Sequence, residues 1–267
     1  MIHIATVHWN TDKWIDIQQS YLRKHIKSPY RVYAWLNNVP STLPDTFYYA
    51  CSEPVISHAV KLNILADIIY FSSNRDDDIL IFLDGDAFPI GDIELLINQK
   101  LSNYKLIAVQ RLENNGDNQP HPCFCATTVS FWKSIKGDWK AGYRWQNKSG
   151  AWVTDIGGNL LKQLRESGVQ WYPLLRSNRR NLHPVFFAAY DGVIYHHGAG
   201  FRDALTRFDR AQSKAGFLDK ILFWAPPRYR RALLHKRRDG VIAENNLLSE
   251  KVFKSIQENP LFYAELI

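Results

Sequence analysis

The chain has 267 residues, 46% of them hydrophobic, and a formal net charge of +7. That is enough apolar material for one large α/β domain with a substantial core plus a tail, and the basic balance points to phosphorylated metabolites, nucleic acid or an anionic membrane as partners. No apolar run approaches the roughly 20 residues that span a bilayer, Met1 to His8 lack the pattern of a secretory leader, and three cysteines build no disulfide framework, so a cytoplasmic setting is expected.

In chain order, Ile2 to Val7 reads as a first strand ending in Thr6, His8, Trp9 and Asn10, and Trp14 to His25 carries apolar groups at helical spacing. Tyr30 to Leu36 is a second strand, and Pro40 and Pro44 mark a loop. His58 to Tyr70 forms a helix with one apolar face that leads into the run Leu80-Ile81-Phe82-Leu83, a buried parallel strand, so the order is βαβ. Ile93 to Leu101 predicts a helix and Lys105 to Gln110 a strand, followed by a polar loop from Asn114 to Pro122. Thr127 to Trp132 predicts an antiparallel edge strand, Asn159 to Ser167 a helix stopped by Gly168, and Val169–Leu174 and Val193–His197 late strands. The fold class is therefore α/β, a mixed, mostly parallel sheet flanked by helices, with a basic helical C-terminal tail.

The apolar run ends in Asp84-Gly85-Asp86, followed by Ala87-Phe88-Pro89. Asp-Gly is a common turn dipeptide, yet these carboxylates are flanked by apolar residues on both sides, unlike the solvated Asp76-Asp77-Asp78 upstream. Open α/β sheets place ligands at the carboxyl ends of their strands, and two clustered carboxylates favour a divalent cation. His121-Pro122-Cys123-Phe124-Cys125 fits no zinc spacing, so the cysteines read as packing residues. A phosphate-cradling glycine loop is absent from the sequence, which argues against a kinase or a dinucleotide enzyme.

An Asp-x-Asp after a βαβ first half resembles the DxD motif of GT-A nucleotide-sugar glycosyltransferases. Tyr195-His196-His197-Gly198-Ala199-Gly200-Phe201-Arg202 is similar to the His-x-x-Gly-x-x-Lys segment of galactosyltransferases and glycogenin-like enzymes of that fold, with Arg202 in the place of the lysine. The resemblance implies a GT-A catalytic domain over 1–223, with a donor half at 1–110 and an acceptor half at 111–223, and a tail at 224–267. It implies Mn²⁺ or Mg²⁺ held by Asp84, Asp86 and His197, the latter favoured over His196 by its spacing to Gly200. Arg202, Gly200 and Lys61 would meet the diphosphate of a nucleotide-sugar donor; Thr6, His8, Trp9 and Asn10 its base or ribose; and the helix with His58, Lys61 and Asn63 its flank. Asp155 would contact the acceptor or act as general base, a helix cap being the plain alternative.

Trp132, Trp139, Tyr143, Trp145, Trp152, Trp171 and Tyr172 suit a saccharide acceptor as a set, although any single tryptophan among them reads first as core, and Arg176, Arg179 and Arg180 suit an anionic one. The basic, aromatic stretch 224–238 suits peripheral contact with an anionic membrane and a lipid-linked acceptor, as in bacterial surface polysaccharide synthesis, with no role for nucleic acid. Two rival readings are a haloacid-dehalogenase-type phosphatase with Asp84 as nucleophile, and a basic nucleic-acid or membrane-binding module without catalysis.

Overall fold

The computed structural model describes residues 1–39, 46–206, 209 and 226–267; the expected loop at Pro40 and Pro44 and the first residues of the tail, Trp224 and Ala225, lie outside them. Strand β1 (Ile2–Trp9) is flanked in parallel by β2 (Tyr30–Asn37) and β4 (Ile79–Asp84). With β3 (Tyr49–Cys51), β6 (Leu106–Val109), β7 (His121–Thr128) and β10 (Tyr172–Leu174) they form a seven-stranded sheet in the order β10-β6-β7-β4-β1-β2-β3. Only β7 runs against its neighbours in that sheet.

Side chains alternate across a strand, and here both faces are apolar, which is why these strands read as near-continuous hydrophobic runs. Ile2, Ile4, Ile81, Leu83, Ile107 and Val109 pack on one side with α1 (Ile15–His25) and α3 (Ile93–Leu101). Ala5, Val7, Leu80, Phe82, Leu106 and Ala108 pack on the other with α2 (His58–Ser72) and α5 (Gly158–Glu166). Phe82 is fully buried against Trp132 and Trp139, ring centroids 4.6 and 5.0 Å away, so Phe82→Ala would cost about 3–5 kcal/mol.

A second sheet of three antiparallel strands, β11 (Ala188–Tyr190), β12 (Ile194–His196) and β5 (Ala87–Pro89), covers the carboxyl end of β4. The long last helix, α6 (Pro227–Glu258), buries Ser249, Val252, Phe253 and Ile256 in a third cluster with Trp14, Tyr21, Phe88 and Tyr195. Among the described residues no helix is long and apolar enough to cross a membrane.

Most expected elements form within a few residues of their expected limits. The antiparallel strand is the exception: it occupies 121–128 and lies inside the sheet between β4 and β6, whereas 129–134 is a short helix, α4 (Val129–Ser134). Cys123, Phe124, Cys125 and Ala126 are fully buried there, and Thr128, expected inside the strand, caps α4 by accepting from Phe131 N at 3.1 Å. The hairpin β8 (Trp145–Gln146) and β9 (Trp152–Val153) is too short to leave a period in the sequence, and the same holds for β3 and β11.

Candidate metal and anion site

β4 delivers Asp84 at its carboxyl end, and the chain turns through Gly85 into β5. A Cβ on Gly85 would stand 2.6 Å from Val7 O and 2.7 Å from His8 Nδ1, so the turn fits tightly under the end of β1 only without a side chain. β12 pairs with β5 in a register that sets His196 opposite Ala87, next to Asp86. His196 Nε2 consequently lies 3.5 Å from Asp86 Oδ1 and 3.7 Å from Asp84 Oδ2. One ligand atom from each of Asp84, Asp86 and His196 lies within 4.8 Å of the others. Two carboxylate oxygens and an imidazole nitrogen converging on one point beside an open pocket fit a divalent cation.

Asp86 has a second task. Its Oδ2 accepts from the backbone N–H of Gly198 at 3.0 Å and of Gly200 at 2.9 Å, while its own carbonyl accepts from His197 N. Burial opposes its charge, but His196 and these N–H donors hold its carboxyl well below the usual carboxylate range. Burial also opposes a charge on His196, yet the neighbouring Cys123 sulfur and the Asp86 carboxylate raise its pKa well above the ordinary value. Asp84 is bound on its other side by His58 Nε2, 3.0 Å from Oδ1.

The three residues open on a pocket of about 250 Å³ that is also lined by Trp9, Lys61, Arg111, His121, Asp155, Gly200 and Arg202. Lys61 is only 3% exposed, and burial lowers its pKa; its ammonium lies 6.0 Å from the Trp9 ring. Among the described residues neither Lys61 nor Arg202 has an ion-pair partner. Arg111 is engaged: it lies 3.2 Å from Asp117 and 4.0 Å from Asp155.

Of the metal, donor and catalytic residues expected from the sequence, Asp84, Asp86, Trp9, His58, Lys61, Gly200, Arg202 and Asp155 line the pocket, and Thr6, His8, Asn10, Asn63 and His197 do not. His197 is replaced by its neighbour. It is fully buried between Trp14 and Phe187, with its ring nitrogens bonded to Tyr195 OH at 3.1 Å and Ser249 Oγ at 2.7 Å, and burial pushes its pKa down to about 3. Thr6 points into the core and donates to Gln18 Oε1; His8 is buried beneath Phe47 and Phe201, its pKa lowered by burial to about 4. Asn10 bonds Asn38 at 3.0 Å outside the pocket. Asn63 bonds Asp138 and Trp139 N and so ties α2 to the 138–139 loop.

The helix cap, the alternative for Asp155, falls to Gly157 at φ 91°, and Asp155 lines the pocket. None of the seven aromatics expected at the acceptor lines the pocket: Trp132, Trp139 and Trp145 are buried, Tyr143, Trp171 and Tyr172 are half-buried and Trp152 is exposed elsewhere, while Trp9 and Phe201 do line it. Arg176 donates to the carbonyls of His183 and Phe186 and is structural. His58, expected on the donor's flank, lines the pocket against Asp84, whereas Arg111 was not read as a site residue, although it follows the carboxyl end of β6 on the same sheet edge as Asp84, a position with a ligand-binding prior of its own.

No protein-family model matches the chain, and no curated protein matches it. Among solved structures it is similar to the catalytic domain of Drosophila β1,4-galactosyltransferase 7 in complex with xylobiose (TM-score 0.43, 13% identity, 79% of this chain and 79% of that one). It is also similar to the glycosyltransferase GlyE of Streptococcus pneumoniae TIGR4 (TM-score 0.38, 14% identity, 50% of this chain) and spans 35% of that protein's length. A third is the galactosyltransferase LgtC in complex with donor and acceptor sugar analogues (TM-score 0.36, 13% identity, 63% of this chain and 72% of that one).

Proposed function

We propose that the protein is a metal-dependent glycosyltransferase that moves a sugar from a nucleotide-diphosphate donor to a saccharide or lipid-linked saccharide acceptor. One observation carries the reading: a pocket that gathers two carboxylates and an imidazole within 4.8 Å is also lined by two cations, the buried Lys61 and the exposed Arg202, that have no ion-pair partner among the described residues. A cation site alone suits many ligands. Joined to unpaired cations, it suits a polyanion that bridges both, and a diphosphate is the compact group that does so.

Asp84, Asp86 and His196 would hold Mn²⁺ or Mg²⁺, the imidazole favouring Mn²⁺, and the bound ion would supply neutralisation of the diphosphate charge. Lys61 and Arg202 face the same charge as it grows on the leaving diphosphate, and fixed cations in a partly dry pocket stabilise that charge without reorganising. Arg111 orients the Asp155 carboxylate beside the pocket, where it receives the acceptor hydroxyl. The exposed Arg228, Arg231, Lys236 and Arg238 on the first half of α6 fit peripheral contact with an anionic membrane, which cosedimentation with phosphatidylglycerol vesicles would test.

A thermal-shift screen of UDP, GDP, TDP and CMP, each with and without Mn²⁺, tests the reading. A ligand present at 100 times its Kd adds about 2.7 kcal/mol. The expected result is a nucleoside diphosphate that raises the melting temperature only with the metal. A covalent aspartyl-phosphate on Asp84, or steeply salt-dependent nucleic-acid binding with no response to nucleotides, would contradict it.

A further inference from the structure

The loop from Gly198 to Thr206 carries Arg202 into the pocket, and it is pinned at both ends. At its start the Gly198 and Gly200 N–H groups donate to Asp86 Oδ2, and the Gly200 carbonyl accepts from Trp14 Nε1 at 3.2 Å. Toward its end both backbone groups of Ala204 are taken by two consecutive residues of α6: Asn246 Oδ1 accepts from Ala204 N at 2.9 Å, and Asn245 Nδ2 donates to Ala204 O at 2.9 Å. Asn246 Nδ2 also lies 3.3 Å from Asp203 Oδ1, which draws that carboxylate toward α6.

Ala204 is fully buried, so its peptide groups need these partners, whereas Arg202, two residues earlier, is exposed and has no ion-pair partner among the described residues. A long side chain on an unrestrained loop would lose most of its electrostatic advantage to conformational entropy, and a backbone fixed on both sides removes much of that cost.

We infer that Asn245 and Asn246 are positioning residues for the anion pocket: they clamp Ala204 so that Arg202 is held toward the diphosphate, which makes α6 part of the donor site. The inference rests on the donor reading above. It also separates two functions within the site, since the cation ligands Asp84, Asp86 and His196 do not depend on α6 through Asn245 or Asn246.

The test is a double-mutant cycle on the full chain with UDP and GDP as probes, in the presence of Mn²⁺, by titration calorimetry. Asn246→Ala and Arg202→Ala are each expected to weaken nucleotide binding about tenfold, with the double variant no weaker than Arg202→Ala alone. Mn²⁺ affinity without nucleotide and the melting temperature report whether the site and fold survive, and Asn245→Ala, which removes the other half of the clamp, is expected to repeat the result. Losses that simply add in the double variant, or full nucleotide affinity in Asn246→Ala, overturn the clamp while the donor reading stands. Failure of the wild-type protein to bind either nucleotide overturns the donor reading, and the clamp with it.

Discussion

His196 and His197, neighbours in the chain, face opposite sides of the small sheet: His196 Nε2 lies 3.5 Å from Asp86 Oδ1, and His197 Nε2 lies 2.7 Å from Ser249 Oγ on α6. Strand parity explains the division. Tyr195 and His197 bond each other and pack into the apolar cluster under α6, which leaves the intervening imidazole to the pocket.

Substitution of the two histidines should therefore have opposite effects. His196→Ala is expected to weaken Mn²⁺ binding at least tenfold at little cost in stability. His197→Ala leaves Ser249 Oγ and Tyr195 OH short of a partner and opens a cavity between Trp14 and Phe187, a cost of about 2–4 kcal/mol. Urea unfolding alongside Mn²⁺ titration separates the two outcomes.

Two glycines give a second contrast. A Cβ on Gly200 would stand 2.6 Å from both Asp86 Cβ and Trp14 Nε1, so Gly200→Ala must displace a cation ligand and should destabilise by about 1–3 kcal/mol. Gly240 lies within α6 with open space where a Cβ would go, and Gly240→Ala should stabilise by up to about 1 kcal/mol. Differential scanning calorimetry reads both signs.

Acid should weaken the fold before the carboxylates titrate. Burial lowers the His8 pKa from 6.5 to about 4, so between those values the unfolded chain binds a proton that the folded chain refuses. Stability then rises with pH across this window: the contribution is whole above about pH 6.5 and is lost as the pH falls toward 4, up to about 3 kcal/mol for this residue. His197, with a pKa of about 3, acts in the same direction. Unfolding midpoints from pH 7 to 4.5 should fall, and less steeply in His8→Asn.

Much of the frame was legible because it is local. β1 is mostly apolar and β4 an unbroken apolar run up to Asp84, α2 and α3 are apolar segments that open on the side-chain caps Ser57 and Asp92, and the apolar flanks of Asp84 and Asp86 marked them as more than a turn. What escaped depends on pairing between distant segments. Spacing to Gly200 favoured His197, but the register of β12 on β5 decides which imidazole meets Asp86, and no local pattern encodes it. Each tryptophan from Trp132 to Trp145 read first as core although the set suited a sugar, and the packing of Phe82 against Trp132 and Trp139 bears out the core reading for those two. Asn63 and Thr6 are polar residues at the edge of the expected site whose partners, Asp138 and Gln18, lie outside the pocket lining, Gln18 bracing the Asp84 carbonyl from behind.

The most direct measurement is titration of Mn²⁺, followed by electron paramagnetic resonance, into wild-type protein, Asp84→Asn and His196→Ala, each with and without the nucleoside diphosphate selected in the thermal screen. The account predicts one ion per chain, bound more tightly in the presence of the diphosphate and at least tenfold more weakly in both variants. Mn²⁺ affinity untouched by either substitution, or a diphosphate that binds equally well without the ion, would contradict it.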